Sequence, residues 1–333
     1  MSRHLLGLET LPAAEIRALI AAARRHAEWL RDPTAKGTSL RGRFIVLGFF
    51  ESSTRTRVSF EAAGKRLGAA TVAITATGSS IDKGESLLDT AWTFESMGAS
   101  CLVMRHSRSG SPHDLADKLT TMAVVNGGDG RREHPTQALL DLFSIVSHGL
   151  EPSDLRLTMV GDVAHSRVAR SNIYALTALG ATLTLCGPPT LMPAGIEQLG
   201  RAPGRVIVNH RLDEALAGAQ AVMVLRLQRE RMQEGLLPSL GEYARLYQVT
   251  PERLARQAPE ALVMHPGPMN RGVEIDSRVA DGSRSVIREQ VTAGVAVRCA
   301  VLERACGVEE WAASGGEAAA ANRAARALEE VRR

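Results

Sequence analysis

The sequence predicts an α/β protein of two doubly wound domains, each a parallel sheet with helices on both faces. Short apolar runs typical of buried strands alternate with segments of helical periodicity along most of the 333 residues. The alternation restarts after a joint at 149–154 that contains Pro, Ser and Asp. Because a chain of this length exceeds one typical hydrophobic core, we predict a domain boundary near residue 150.

The elements before this boundary follow from apolar runs and helical spacing. Pro12, near the start of the first helical segment, is typical of a helix N-terminus. The predicted strands are 44–50, 70–75, 101–104 and 122–126. The predicted helices are 11–30, 54–67, 85–97, 111–119 and 135–148.

The second half repeats the pattern and ends in a long helix from Ser285 to about Cys306, apolar enough to pack against a large surface. We assign 1–149 and 285–307 to the first domain and 150–284 to the second. Residues 308–333, rich in Ala, Glu and Arg, have no core-forming stripe and are predicted to form a tail. The predicted strands are 155–162, 181–186, 205–208, 220–225 and 261–264, and the helices are 167–179, 190–199 and 211–217.

Composition and charge exclude several classes of protein. The net charge of +4 and the aromatic content of 4% do not predict a nucleic-acid surface, which needs clustered basic residues and stacking aromatics. No apolar run approaches membrane-spanning length, and the N-terminus does not resemble a signal peptide. Four scattered cysteines without C-x-x-C spacing indicate a reduced, cytoplasmic protein without a metal site. No glycine fingerprint for a dinucleotide follows a strand, so we expect no cofactor.

The most informative segment is Ser53-Thr54-Arg55-Thr56-Arg57, which follows a predicted strand and begins a predicted helix. The first turn of a helix has free N–H groups and a partial positive charge, and Arg adds a fork suited to phosphate oxygens. A simple helix cap with solvated arginines is the alternative. Hydroxyl groups and two arginines within five residues at this junction favour a phosphate site.

Polar side chains also follow the other predicted strands. In doubly wound sheets, ligands bind outside the carboxyl ends of the strands. Donors for anions or carbonyl groups at seven strand ends therefore predict a cleft between two domains that binds several negative groups. The clusters are 53–57, 79–85, 105–106, 134–137, 161–162 with Arg167, 226–228 and 265–268.

Two of these segments give the chain a resemblance to the aspartate and ornithine carbamoyltransferase family over about residues 4–305. The carbamoyl-phosphate signature stands as Phe50-Glu51-Ser52-Ser53-Thr54-Arg55-Thr56-Arg57, and the second hallmark is His134-Pro135-Thr136-Gln137. Segments 224–228 and 265–268 resemble the aspartate branch. The ornithine branch is expected to have a segment ending Ser-Met-Gly near 226–228 and a Cys in place of Pro266. A substrate with two carboxylates also needs cations, which Arg167 and Arg226 supply.

The resemblance implies a role for each residue of a carbamoyl-phosphate site. Hydroxyl and N–H groups of 53–56 hold the phosphate, and Arg55 and Arg105 neutralise it. Thr56, Arg105 and His134 act on the carbamoyl oxygen as an oxyanion hole. The carbamoyl N–H groups donate to Gln137 and to the carbonyl groups of Pro266 and Gly267, where Gly267 replaces the Leu of some relatives. The implied catalytic residues are Arg55, Thr56, Arg105 and His134, and the implied carbamoyl-phosphate ligands are Ser53, Thr54, Arg55, Thr56, Arg105, His134, Gln137, Pro266 and Gly267.

For aspartate, the resemblance implies that Arg167, Arg226 and Gln228 bind the carboxylates with help from Lys83. It also implies a homotrimer in which a neighbouring subunit contributes the loop of Lys83 to a shared active site. Whether Ser79 or Ser80 enters the site stays open. We interpret Glu51 as a structural partner that aims one of the nearby arginines.

The implied reaction transfers the carbamoyl group of carbamoyl phosphate to L-aspartate, giving N-carbamoyl-L-aspartate and phosphate for pyrimidine biosynthesis. No protein nucleophile, metal or cofactor is needed. One alternative is a carbamoyltransferase for ornithine or acetylornithine. Another is a non-catalytic scaffold, which predicts losses at Arg55, Arg105, His134 or Gln137, and none is seen. The resemblance also implies regulatory or dihydroorotase chains as partners, each a separate polypeptide.

Overall fold

The computed structural model describes residues 2–75, 84–228, 236 and 239–308. The chain divides into two compact units: residues up to Gly130 together with those from Ala293 onward form unit 1, and Arg131–Thr292 form unit 2. Each unit contains one parallel sheet, as the sequence predicts. The domain limits expected at 150 and 285 stay a prediction. In the described part of the chain, no helix is long and apolar enough to cross a membrane.

Unit 1 is built on a four-stranded sheet in the order β2-β1-β3-β4. Strands β1 and β3 are almost fully buried, as expected of parallel strands covered on both faces, whereas the edge strand β2 is largely exposed. The strands are β1 (Phe44–Phe49), β2 (Ala70–Thr75), β3 (Cys101–His106) and β4 (Ala123–Asp129). The helices are α1 (Ala13–Trp29), α2 (Thr54–Arg66), α3 (Leu87–Ser96) and α4 (Ser111–Ala116).

Unit 2 contains a five-stranded sheet in the order β7-β6-β5-β8-β9. The strands are β5 (Arg156–Val160), β6 (Thr182–Cys186), β7 (Arg205–Val208), β8 (Ala221–Val224) and β9 (Leu262–Met264). The helices are α5 (Pro135–Ser147), α6 (Arg167–Ala178), α7 (Leu212–Leu216), α8 (Leu240–Tyr247), α9 (Pro251–Gln257) and α10 (Ser277–Ala280). A last helix, α11 (Ile287–Ala305), begins in unit 2, and its residues from Ala293 belong to unit 1.

The helix predicted at 190–199 is wrong. Only two short 3-10 helices occur there, Pro189–Leu191 and Ile196–Leu199. Pro193 removes a backbone donor, and Gly195 adopts a left-handed conformation with φ of 73°, so a continuous α-helix cannot form.

Helices α8, α9 and α10 were not predicted from the sequence, because each is too short to show a clear apolar period. Their start signals are nevertheless present. Ser239, Thr250 and Asp276 each accept a hydrogen bond from a backbone N–H group of the first turn that follows.

Each sheet reverses its strand order at one point. In unit 1, the chain runs from β1 to β2 on one side, whereas β3 lies on the other side of β1. In unit 2, the same reversal falls between β5 and β8. Such switch points leave a crevice at the carboxyl ends of the two strands, which is where open α/β sheets bind ligands.

Candidate active site

The switch point of unit 1 contains the predicted phosphate segment. Ser53 is the N-cap residue of α2 with an extended backbone, and residues 54–56 form the first helical turn. Thr54 and Arg55 are exposed, whereas Thr56 is buried. A helix start that displays hydroxyl, guanidinium and backbone N–H groups can bind a phosphate.

Arg105 lies in β3 directly beside this segment. Phe49 of β1 is its register partner, and the Phe50 N–H donates to the Arg105 carbonyl oxygen at 2.8 Å. The guanidinium donates to Glu51 Oε1 at 2.7 Å and to the Gly127 carbonyl oxygen at 3.2 Å. The prediction that Glu51 aims a nearby arginine is therefore confirmed.

Arg105 also provides the positive charge at the end of β3. Burial, together with the nearby Arg108 guanidinium, lowers the pKa of His106 below its usual range. His106 is therefore mostly uncharged at pH 7, and Arg105 supplies positive charge within the strand itself.

In unit 2, His134 is the N-cap residue of α5 and is held by buried groups. Its backbone N–H donates to Ser171 Oγ at 2.9 Å, and the Ser171 hydroxyl donates to Glu133 Oε2 at 2.9 Å. The sequence does not predict the roles of Ser171 and Glu133, because the two residues are 38 positions apart and belong to no common motif.

Gln137 lies in the first turn of the same helix and contacts a fully buried carboxylate. Gln137 Nε2 donates to Asp141 Oδ1 at 2.9 Å, and Gln290 Nε2 donates to the same oxygen at 2.7 Å. Asn172 Nδ2 donates to Asp141 Oδ2 at 2.8 Å. Asp141 was not singled out from the sequence, although its spacing of four from Gln137 places the two on one helix face.

The segment that contains Pro266 and Gly267 follows β9 and is fixed by the buried His265. The His265 backbone N–H donates to Gln290 Oε1 at 3.0 Å, and the Gly267 N–H donates to His265 Nδ1 at 2.8 Å. Because Nδ1 accepts a hydrogen bond, the ring proton lies on Nε2, which is 3.4 Å from Glu274 Oε1.

At the switch point of unit 2, the ends of β5 and β8 approach closely. Gly161 has φ of 132°, and a Cβ atom there would lie 2.6 Å from the Leu225 carbonyl oxygen, so only glycine fits. Asp162 is fully buried and accepts from the Gln228 N–H at 3.3 Å and from His165 Nδ1 at 2.8 Å. Gln228 Nε2 donates to the His165 carbonyl oxygen at 2.9 Å.

The two arginines predicted to bind a dicarboxylate belong to the same switch point. Arg167 is the first residue of α6 and is 6% exposed, and Ser166 caps this helix by accepting from the Ala169 N–H at 3.1 Å. Arg226 lies just beyond β8, two residues before Gln228, and is half-buried. A helix N-terminus adds its partial positive charge to the two guanidinium groups, so this end of the sheet favours anionic ligands.

The structure thus brings the predicted residues together in three groups. Residues 53–56 lie beside Arg105 in unit 1. In unit 2, Gln137 is linked to segment 265–267 through Asp141 and Gln290, and Arg167, Arg226 and Gln228 surround the switch point. Lys83, Ser79 and Ser80 lie outside the described residues.

Two family models match most of the chain. The model described as "Aspartate/ornithine carbamoyltransferase, carbamoyl-P binding domain" matches residues 3–147, and "Aspartate/ornithine carbamoyltransferase, Asp/Orn binding domain" matches residues 153–305. The chain therefore belongs to the aspartate/ornithine carbamoyltransferase family.

Curated relatives with about half of their residues identical to this chain belong to the aspartate branch of this family. A Desulforudis audaxviator protein named aspartate carbamoyltransferase catalytic subunit is 54% identical over 300 residues, which cover 90% of this chain and 96% of that protein. A Chloroflexus aggregans protein of the same name is 52% identical over 305 residues, covering 92% of this chain and 98% of its own.

Solved structures of both the aspartate and the ornithine branch are similar to this chain. Trypanosoma cruzi aspartate transcarbamoylase in complex with N-(phosphonacetyl)-L-aspartic acid has a TM-score of 0.81 at 30% identity and covers 90% of this chain and 95% of its own. Ornithine carbamoyltransferase from Pyrococcus furiosus has a TM-score of 0.80 at 27% identity, covering 90% and 96%. Because both branches share the fold, the choice between them depends on sequence identity and on the side chains of the site.

Proposed function

We propose that this chain transfers the carbamoyl group of carbamoyl phosphate to the amino group of L-aspartate, giving N-carbamoyl-L-aspartate and phosphate in de novo pyrimidine biosynthesis. The observation that carries the proposal is the pair Arg167 and Arg226 with Gln228 at the switch point of unit 2. Two guanidinium groups suit a dicarboxylate and repel a cationic side chain such as that of ornithine. The names of the curated relatives support the same substrate.

Carbamoyl phosphate is held through both of its ends. Ser53, Thr54 and Thr56 donate to the phosphate oxygens together with the backbone N–H groups of the first turn of α2, and Arg55 neutralises their charge. Arg105 donates to both the phosphate and the carbamoyl oxygen, and its ion pair with Glu51 fixes the orientation of the guanidinium.

Negative charge develops on the carbamoyl oxygen as the amine attacks. Thr56, Arg105 and His134 donate to this oxygen and stabilise the charge, as an oxyanion hole does. The carbamoyl N–H groups donate to Gln137 and to the carbonyl oxygens of Pro266 and Gly267.

Aspartate is oriented by Arg167, Arg226 and Gln228, with Lys83 as a further cation. The lone pair of its neutral amine forms the new C–N bond, the C–O bond to phosphate breaks, and the departing phosphate accepts the amine proton. No protein nucleophile takes part. The protein contributes orientation and charge stabilisation, and orientation alone is worth up to about 7–11 kcal/mol in favourable cases.

A carbamoyl-phosphate-dependent assay across three acceptors tests the function. With L-aspartate, we expect one ureido product and one phosphate per turnover, and with ornithine or acetylornithine we expect neither above background. Product formation from ornithine at a rate equal to that from aspartate would contradict the assignment of the arginine pair to a dicarboxylate.

We further propose that the enzyme acts in the cytoplasm as a homotrimer whose neighbouring subunit supplies Lys83. The word "subunit" in the names of the relatives is compatible with regulatory or dihydroorotase chains as additional partners. Lysine suits a role across a subunit boundary, because its compact charge sits on a flexible stem.

Mixing inactive variants tests the trans contribution of Lys83. Equal amounts of Lys83→Ala and His134→Ala chains are denatured, combined and refolded. Random assembly gives about three-quarters mixed trimers, each with one intact site of three, so about one-quarter of all sites should recover. Each variant refolded alone serves as the control. No recovery, with mixed trimers verified by native mass spectrometry, would exclude a site shared in this way.

A further inference from the structure

Asp141 is a fully buried carboxylate on which three side-chain amides converge. We infer that Asp141 is a positioning residue that holds the NH₂ ends of the Gln137 and Gln290 amides toward itself. As a consequence, the site presents only hydrogen-bond acceptors to the carbamoyl N–H groups. The inference rests on the proposed function, because it assigns a role at the same site.

The chemistry of a carboxylate determines the orientation of both glutamines. An ionised carboxylate accepts hydrogen bonds and cannot donate them. Gln137 and Gln290 both contact Asp141 Oδ1, at 2.9 Å and 2.7 Å, so each must direct its NH₂ group toward this oxygen. Turning either amide around would bring two oxygens together in a buried place, which is unfavourable.

For Gln137, this orientation leaves the amide oxygen as the group available to a ligand. In the described part of the chain, Gln137 Nε2 is bound to Asp141, and no donor contacts Oε1. The NH₂ of a carbamoyl group is a donor that needs acceptors. Asp141 therefore holds the Gln137 amide in the orientation that offers its oxygen to the ligand.

Gln290 links Asp141 to the segment after β9 through hydrogen bonds at both ends of its amide. Its Nε2 faces the carboxylate, and its Oε1 accepts from the His265 backbone N–H at 3.0 Å, a group that can only donate. Gln290 is thus fixed at both ends. His265 in turn accepts the Gly267 N–H on Nδ1.

The result is a stretch of backbone that offers only acceptors. Pro266 and Pro268 have no N–H group, and the single N–H group between them, on Gly267, is bound to His265. The polar main-chain groups left on 266–268 are carbonyl oxygens. Together with Gln137 Oε1, they match a ligand with two N–H bonds and select against one that presents an oxygen there.

Substitutions at Asp141 test this role with carbamoyl phosphate and inorganic phosphate as the two ligands. Asp141→Leu keeps the branched shape of the side chain, with methyl groups in place of the smaller oxygens, and removes both acceptors. We expect it to weaken carbamoyl-phosphate binding about tenfold or more, because the two amides lose the bonds that orient them. The affinity for inorganic phosphate should stay within about twofold, because phosphate has no carbamoyl group for these residues to hold.

Asp141→Asn is the matched conservative variant. Its Oδ1 can still accept from both glutamines, and its NH₂ group then faces Asn172. Asn172 must turn its amide so that Oδ1 accepts from this group, which costs the hydrogen bond of 3.1 Å that Nδ2 makes to the Val168 carbonyl oxygen. We expect Asp141→Asn to restore carbamoyl-phosphate affinity to within about threefold of the wild type, since one correctly placed oxygen is retained.

Calorimetry on variants whose near-UV circular dichroism is native decides the question. Unchanged carbamoyl-phosphate affinity in Asp141→Leu, or an equal loss for both ligands, would overturn the inference, because the second result indicates general damage. If Asp141→Leu does not fold, Gln290→Met provides the test, because it removes the link between Asp141 and His265 at similar side-chain volume. We again expect weaker binding of carbamoyl phosphate with unchanged binding of inorganic phosphate. Unchanged carbamoyl-phosphate affinity would refute the link. A wild-type protein that forms no carbamoyl aspartate would instead refute the proposed function.

Discussion

Replacing Arg105 by alanine is expected to lower kcat by at least about 100-fold while the protein stays folded, because the loss of one oxyanion donor already costs about 10²–10³. The Arg105 guanidinium is anchored by Glu51 and by the Gly127 carbonyl oxygen at the switch point of unit 1. In the proposed mechanism, it serves both the phosphate and the carbamoyl oxygen. Steady-state kinetics with L-aspartate measure the effect.

Arg108→Ala is the matched control for this substitution. Arg108 stands three residues further along the chain, and its side chain is exposed and paired with Asp114 on the surface. Surface ion pairs contribute little, so we expect its kcat to stay within about twofold of the wild type. An Arg105→Ala protein with native circular dichroism and comparable kcat would remove Arg105 from the active site.

Replacing Arg167 by alanine should raise the KM for aspartate about 10- to 100-fold, because a hydrogen bond to a charged group contributes about 1.5–3 kcal/mol. Arg167 begins α6 and is almost completely buried, so its guanidinium is held in place before aspartate arrives. The KM for carbamoyl phosphate should change much less, since its proposed ligands are other residues. Initial rates over a matrix of both substrate concentrations separate the two constants.

Arg170→Ala removes the same charge one helical turn further along α6. Arg170 donates to the Arg131 carbonyl oxygen and is not assigned to the substrate. We expect the KM for aspartate to change less than about threefold, as for other substitutions outside a binding site. Equal increases in the two variants would mean that Arg167 acts only through net charge, and the proposed contact with aspartate would be wrong.

The parts of the site that the sequence predicts are those whose signal is local. A strand followed by Ser53–Thr56, or by Arg226 and Gln228, is visible because the motif and the strand end are neighbours in the chain. Within each sheet, the strand order brings such ends side by side, β1 beside β3 in unit 1 and β5 beside β8 in unit 2, so separate motifs meet at one edge.

The groups that orient these residues were not predicted, because they come from distant parts of the chain. Ser171 reaches His134 across 37 residues, and Gln290 reaches Asp141 across 149. No spacing rule relates such positions, and their pairing depends on how helices pack in unit 2. Asp141 is the exception, since its spacing from Gln137 could have indicated it.

The close approach at Gly161 limits how this site could be redesigned. Any side chain at that position would collide with the Leu225 carbonyl oxygen, so the separation between the ends of β5 and β8 leaves no tolerance for a larger residue. An engineer who wants a longer acceptor amino acid cannot gain room by spreading these strands apart. The side chains of Arg226 and Gln228 are the adjustable parts, and a library for altered acceptor choice should vary them while holding residue 161 constant.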